Sequence, residues 1–453
     1  MAFTVAVANF LFNPNEKQIF AQMITGEARD TIVVNHVPSF DFTPENQTKI
    51  DAGQVAKQGH YYYRKNGDEI DVIKVPQSSG IIGIADTAVD ISIGLVGVMA
   101  LFMGLMAIAE KAGGIRFLSR IIGPFFNKLF PEIPKGHDSI GHMMMNFSAN
   151  LLGLDNAATP FGLKAMQSLQ ELNPSSTTAS NAQVMFLALH ASGLTLIPVS
   201  IIAIRSSLGA SDPTDIFIPC MIATFVATMT SMLIVSFKQK INVFQPVILA
   251  WVLGISVFIG LFVTFLTSMQ RTALQEFSSQ LSNGLILFIF AAIVIAAALY
   301  KKIDVFDSFI DGAKEGFTVA VKIIPYLVGI LVAISLLRTS GVFEIVMDGF
   351  RFVFSPLPDT RFVDGLPTAM IKPMSGSGAR GMMVDAMTTF GPDSFAGRLS
   401  GVLQGTSDTT FYVIAVYFGS VGIKNTRYAI GAMLLADLAG IITSILLAYL
   451  FFG

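Results

Sequence analysis

Six apolar runs fix what this chain can be. Residues 89–109, 216–237, 245–268, 283–300, 317–337 and 428–452 are each close in length to the roughly 20 residues that a helix needs to cross a bilayer. A chain of 453 residues that faced water would carry more charge than the 29 basic and 31 acidic side chains found here, and a mean hydropathy of +0.64 agrees. A helix satisfies its backbone hydrogen bonds within one segment, so the expected fold class is an all-α polytopic membrane protein.

The formal net charge is −2, which gives no basic field for nucleic acid. Cys220 is the single cysteine, so an intrachain disulfide and a thiolate metal cluster are excluded. The five histidines never fall at metal-ligand spacing, and HExxH, GxSxG and GxxxxGK[ST] are all missing. No enzyme activity, cofactor or metal is expected.

The N-terminal part reads differently. Residues 1–12 are apolar but too short to span, and are expected to be the remnant of a first membrane helix. Residues 13–79 turn polar and read as a soluble, extracytoplasmic insert. Within it "HYYYRKNGDEIDVIKV" predicts two strands joined at Asn66-Gly67, a pair suited to a tight hairpin turn. The rest divides into a first membrane repeat at 80–240, two linking helices at 241–304 and a second repeat at 305–453.

Orientation follows from the cations beside the helix ends. Lys111, Arg116, Arg120, Lys128 and Lys135 place the segment after the first run in the cytoplasm, as do Lys238 and Lys240, Lys301 and Lys302, and Lys424 and Arg427 for three later loops. Residues 206–215 and 269–282 hold only Arg271 and are expected outside. The trace closes only if residues 139–172 enter the membrane and return to the same side, after which a helix over 181–205 crosses.

The pattern then repeats. "DTA" at Asp86–Ala88 recurs as "DGA" at Asp311–Ala313, "SANLLG" at Ser148–Gly153 aligns with "GSGARG" at Gly376–Gly381, and "ALHASGLTLIPV" at Ala188–Val199 aligns with "VLQGTSDTTFYV" at Val402–Val413. The leading helices of the two copies run in opposite directions. Inverted repeats with paired interrupted segments are a secondary-transporter arrangement, with the site at the repeat interface.

Polar residues concentrate in those interruptions. A non-helical stretch at membrane depth survives only inside protein or beside a water-filled cavity. In the first copy Asn146, Ser148, Asn150, Asp155 and Asn156 either hold a broken helix together or contact a solute. In the second, Ser375 and Ser377 sit on a glycine-rich tip whose amides suit a solute at a helix N-terminus. Arg380 either pairs an anionic group or is neutralised by Asp385 or Asp155. The GxGxxG pattern at Gly376–Gly381 lacks the strand that a dinucleotide fold requires. A second pair of breaks aligns His190 with Gln404, Ser192 with Thr406 and Thr195 with Thr409. Intramembrane ionisable groups are expensive and mark function, which singles out His190, Asp408 and Asp437. Asp408 reads as a site for a coupling Na+ or H+ or as a cap at the break; His190 reads as a coupling partner or a satisfied core imidazole.

"MNFSANLLGLDNAATPFGLKAMQSLQELNP" resembles the signature of spore maturation protein A, and "KPMSGSGARGMMVDAM" with "QGTSDTTFYVIAVYFGSVGIKNTRYA" resembles that of spore maturation protein B. From about residue 80 onward the chain looks like a fusion of the two. The resemblance implies the nucleoside recognition or Gate group, which also occurs in ferrous iron transporters and is related to concentrative nucleoside transporters. It implies a multi-pass protein of the bacterial inner membrane, and no ligand residues carry over from it. The polar insert at 13–79 departs from the family pattern.

The function expected is movement of a small polar solute, nucleoside-like or similar, by alternating access. Asn146, Ser148, Asn150, Asp155, Asn156, Ser375, Ser377, Arg380, Gln404 and Thr406 are the candidate solute contacts, with Asp408 and His190 coupling an ion. A non-transporting envelope scaffold and a channel are the alternatives. Expected partners are the small-molecule solute, the lipid bilayer and Na+ or H+, with a homo-oligomer compatible and nucleic acid excluded.

Overall fold

The computed structural model describes residues 2–12, 19–25, 33–37, 42, 44–51, 56–58, 61–66, 69–74, 80–151, 155–193, 195, 197–301 and 303–453. Two short helices come first, α1 (Ala2–Phe12) and α2 (Ile19–Thr25). Asn9 Nδ2 of α1 donates to Ser340 O at 3.4 Å. Next come β1 (Val33–Val37), α3 (Pro44–Asp51), β2 (Ala56–Gln58), β3 (Tyr61–Asn66) and β4 (Glu69–Lys74). The strands form one antiparallel sheet in the order β1-β4-β3-β2. The expected hairpin is present as β3 and β4, paired from Tyr61↔Lys74 to Asn66↔Glu69; Gly67 lies outside the described residues.

The described residues from 80 onward are mainly helical and contain six helices long and apolar enough to cross a membrane. All six coincide with the six apolar runs, so this is a multi-pass membrane protein. First is α4 (Gly80–Lys111), 32 residues or about 48 Å long at 1.5 Å per residue. That exceeds a hydrocarbon core of about 30 Å, so its ends project or it tilts. The order continues with α5 (Gly114–Leu129), α6 (Asp138–Leu151), α7 (Asp155–Glu171), α8 (Asn181–Ala191), α9 (Val199–Ser207) and α10 (Phe217–Gln239). Two linking helices follow, α11 (Pro246–Thr267) and α12 (Arg271–Ile295), the latter running into a π-turn at Ala296–Lys301. Only 6% of the apolar window of α11 is buried within the protein, so this helix is peripheral and faces lipid.

The second half repeats the first: α13 (Val305–Thr339), α14 (Val342–Phe354), a 3-10 turn (Arg361–Gly365) leading into α15 (Leu366–Ile371), α16 (Gly376–Phe390), α17 (Phe395–Gly405), α18 (Thr410–Val413) with a π-turn at Ile414–Phe418, and α19 (Ala429–Phe452). Each half has a long helix, an amphipathic helix, a hairpin of short helices, a broken helix and a closing span. Local chemistry recurs as well. Gly113 and Gly341, at φ 84° and 79°, turn the chain into α5 and α14 through the left-handed region. Ser180 and Ser394 cap α8 and α17.

The leading helices α4 and α13 pack along their length in antiparallel fashion. Lys111 pairs with Asp311 at 2.8 Å, and a methyl at Gly316 would stand 2.6 Å from Met99 O and 2.8 Å from the Ala100 Cα. Residue numbers thus rise on one helix as they fall on the other. Close backbone approach at small residues is how helices associate in lipid, where no hydrophobic drive exists. The closing spans α10 and α19 are antiparallel too: Gln239 at the end of α10 and Arg427 before α19 both reach Asn181.

The helix over 181–205 is broken into α8 and α9 around residues 192–198, where the polar run Leu189–Thr195 predicts a break. Two sequence expectations change. Most of the loop expected at 269–282 is helix from Arg271, with Ser278 and Ser282 buried on its inner face. "SANLLG" and "GSGARG" are not equivalent positions, because Ser148 closes α6 whereas Gly376 opens α16, whose counterpart α7 opens at Asp155.

Candidate functional site

Helices α6 and α7, of 14 and 17 residues, are each too short to cross a bilayer and pack as a hairpin; α15 and α16 form its counterpart. Asn146, fully buried on α6, ties the first hairpin by donating from Nδ2 to Ala158 O at 2.6 Å. In the second, Ser375 caps α16 by accepting from the Gly378 amide at 3.0 Å.

The two broken helices cross between these hairpins. A helix C-terminus leaves carbonyls without intrahelical partners. At the end of α8, Ala191 O accepts from the Asp408 amide of the other break at 2.7 Å. At the end of α17, Gln404 O accepts from Lys372 Nζ at 2.6 Å. The Phe411 amide, at the start of α18, donates to Pro373 O at 2.9 Å, joining the break to the second hairpin.

At the crossing lies a partly open cavity of about 280 Å³. Asn150, Ala158 and Thr159 line it from the first hairpin and Lys372, Gly376 and Arg380 from the second. His190, Gly193 and Thr195 reach it from one break, and Gln404, Ser407, Asp408, Thr409, Tyr412 and Tyr417 from the other.

His190 is buried at 4% exposure, and its Nδ1 lies 2.8 Å from Asn150 Nδ2 and 3.0 Å from Asn146 Oδ1. One ring nitrogen cannot serve both at once. Unprotonated it accepts from Asn150; protonated it donates to Asn146. Its Nε2 faces the Asp408 carboxylate at 3.9 Å, too far for a hydrogen bond and close enough for charge to act. The Tyr417 ring packs at a steep angle on the imidazole, centroids 4.7 Å apart. Asp408 is fixed by its own turn, Oδ1 accepting from the Thr409 amide at 2.7 Å, while its side chain is 47% exposed.

Of the residues singled out in the sequence, Asn150, His190, Arg380, Gln404 and Asp408 line the cavity, and Asn146 supports it from behind. Four others turn away. Ser148 lies 3.2 Å from Ser119 Oγ on α5, being two positions from Asn146 and Asn150 and hence on another face of α6. Ser375 is spent on its cap, and Ser377 lies 3.3 Å from it. Thr406 donates to Val402 O and lies 2.7 Å from Ser444 on α19. The side chains of Asp155 and Asn156 lie outside the described residues. Asp385 is not the partner of Arg380, because Arg338 holds it through Nε at 2.9 Å and Nη2 at 2.5 Å. Asp437 accepts from Thr410 Oγ1 at 2.7 Å behind the cavity wall.

Sequence reasoning missed Lys372, although it is an ionisable residue in an apolar hairpin and the rule that found Asp408 applies to it equally. It also missed Arg205, fully buried at the end of α9. This guanidinium donates to Pro213 O, Asp212 O and Pro392 O, and pairs with Asp215 at 2.9 Å and Asp393 at 3.2 Å. Arg398 completes the cluster by pairing with Asp215 at 2.7 Å. Asp212, in the loop after α9, is buried in part, which alone would raise its carboxyl; hydrogen bonds from Ser279, Thr214 and Asn283 outweigh this and hold it below the usual range.

The family model described as nucleoside recognition matches the chain twice, over residues 92–208 and 320–424, and each match opens within one of the antiparallel leading helices. A stretch of 179 residues is 46% identical to spore maturation protein B of Bacillus subtilis (strain 168), covering 99% of that protein and 40% of this chain. The chain belongs to the spore maturation protein family. A further stretch of 150 residues is 42% identical to spore maturation protein A of the same organism, covering 76% of that protein and 33% of this chain. No solved structure matches this member of the family.

Proposed function

We propose that this protein moves a small polar solute across the plasma membrane of a bacterial cell by alternating access, with a proton as the coupling ion. One observation carries the reading: the tips of both hairpins and the ends of both broken helices line a single cavity, and polar side chains from all four reach it. Short paired helices around a central site are what inverted-repeat transporters use, and the match to a nucleoside recognition model makes nucleosides a first class to test. The proton is favoured over sodium by the His190 geometry. A proton on Nδ1 exchanges the Asn150 contact for the Asn146 contact and places a cation 3.9 Å from Asp408.

The test is uptake into proteoliposomes of radiolabelled uridine and of a mixture of radiolabelled amino acids, under an imposed pH gradient or an imposed sodium gradient. Saturable uptake driven by the pH gradient is expected, with Asp408→Asn abolishing the gradient dependence. Uptake linear in solute concentration assigns a channel instead, and an Asp408→Asn protein that keeps its pH-driven uptake removes the carboxylate from the mechanism.

A further inference from the structure

We propose that the solute is a small zwitterion of the α-amino-acid type, its ammonium group held between Gln404 Oε1 and the Asp408 carboxylate and its own carboxylate facing the first turn of α16. This rests on reading the cavity as a solute site. Gln404 is 7% exposed, and its Oε1 is a buried acceptor with no hydrogen-bond partner among the described residues. The amide orientation is set by the other end, where Nε2 faces Gly376 O at 3.4 Å; turning it over would bring two oxygens together. A buried acceptor left unmet is costly, and a donor on a ligand recovers that cost. Asp408 adds acceptor capacity four residues on. Its Oδ1 already accepts from the Thr409 amide, whereas Oδ2 stands 3.9 Å from His190 with no closer hydrogen-bond donor among the described residues. Two acceptors, one of them a carboxylate, suit a protonated amine.

The opposite pole is adjacent. Helix α16 has 15 residues, and Gly376 at its start lies in the cavity wall, where the helix dipole and the Gly376 and Ser377 amides, which the Ser375 cap on Gly378 leaves over, favour an anionic group. A methyl on Gly376 would meet Thr409 Oγ1 at 2.6 Å, so bare backbone is what fits against the break. Gln404 touches the same residue, so the donor-seeking and anion-seeking groups are neighbours, as the two charges of an α-amino acid are. A nucleoside carries neither charge.

The experiment measures thermal stabilisation of the purified full chain in detergent by each of the twenty common amino acids, by uridine, and by sodium chloride against choline chloride, since a ligand of the native state raises the transition. At least one amino acid is expected to stabilise. Its methyl ester and its N-acetyl derivative, each lacking one charge, are expected to bind at least about tenfold more weakly, and Gln404→Leu to weaken it about ten- to a hundredfold. The derivatives are tested on the unaltered protein, so the outcome does not depend on the variant folding. Undiminished affinity for either derivative overturns the assignment. Stabilisation by uridine and by no amino acid overturns it while leaving the solute site standing. Stabilisation by sodium alone gives the oxygens to an ion and overturns it also, and no stabilisation by any of these overturns both readings.

Discussion

Arg205 offers a quantitative test of what holds the two halves together. Its guanidinium is fully buried, and three carbonyls and two carboxylates of the surrounding loops depend on it. Replacing it with methionine fills similar space and strands those groups, and breaking a buried ion pair from one side costs about 3–5 kcal/mol. Both carboxylates keep Arg398, at 2.7 Å from Asp215 and 3.7 Å from Asp393, so the expected loss for Arg205→Met is near the lower limit, about 3 kcal/mol. Arg351 is the control. It pairs with Glu344, Asp348 and Asp364, more carboxylates than Arg205 has, but its side chain is 46% exposed, and such pairs are worth about 0–1 kcal/mol. Loss of helical circular dichroism on heating in detergent measures both. Equal destabilisation by Arg205→Met and Arg351→Met, or a larger effect of the second, refutes the reasoning that burial rather than the number of ion pairs sets the cost.

Gly316→Leu places side-chain atoms where Met99 O and the Ala100 backbone already lie, and backbone cannot yield; a loss of about 1–3 kcal/mol is expected in the same melt. Gly329→Ala on the same helix meets nothing within 4 Å and is expected to change stability in the opposite direction, by up to about 1 kcal/mol. Asp359, in the loop before the 3-10 turn, has its carboxyl lowered to about 2 by hydrogen bonds from Arg361, against a burial effect in the other direction. A lowered carboxyl stabilises above its unfolded value near 4 and loses that contribution as pH falls toward 2. Because the side chain is 36% exposed, Asp359→Asn is expected to cost under about 1 kcal/mol at neutral pH, with the difference from the parent shrinking steadily as pH falls from about 4 toward about 2 in a melt series across pH.

The membrane spans were legible because length and apolarity alone decide them, and every one of the six runs became a long helix. Breaks were legible for a related reason: polar residues, glycine and proline cluster where a helix cannot continue at membrane depth. Finer placement failed where it depended on direction around a helix or on distant partners. Asn146 and Asn150 are four apart and share a face of α6; Ser148, between them, was grouped with them by position and in fact meets Ser119. Arg205 shows the second kind of failure. Its sequence neighbours give a helix end and a loop, while the residues that make it a structural centre, Pro392 and Asp393, lie almost two hundred positions away.

The inverted repeat also sets how the loops of the two halves meet. At one end the loop between α9 and α10 meets the loop between α16 and α17 through Arg205, Asp215, Asp393 and Arg398. At the other, the equivalent loops meet in exchanged roles: the segment before α19 pairs with the segment between α7 and α8, Ala179 donating to Asn425 O at 3.0 Å and Asn425 to Thr177 O at 2.9 Å. These contacts are at opposite ends, since Gln239 at the far end of α10 reaches Asn181 beside the second of them. They are unequal in chemistry. Lys424, Asn425 and Arg427 are exposed, so water replaces their bonds when the loops part, and the net cost is small. Arg205 has no such replacement until its whole surround is hydrated. In the alternating-access cycle proposed above, separation of the halves is therefore expected to be easier at the end carrying Arg427 than at the end carrying Arg205.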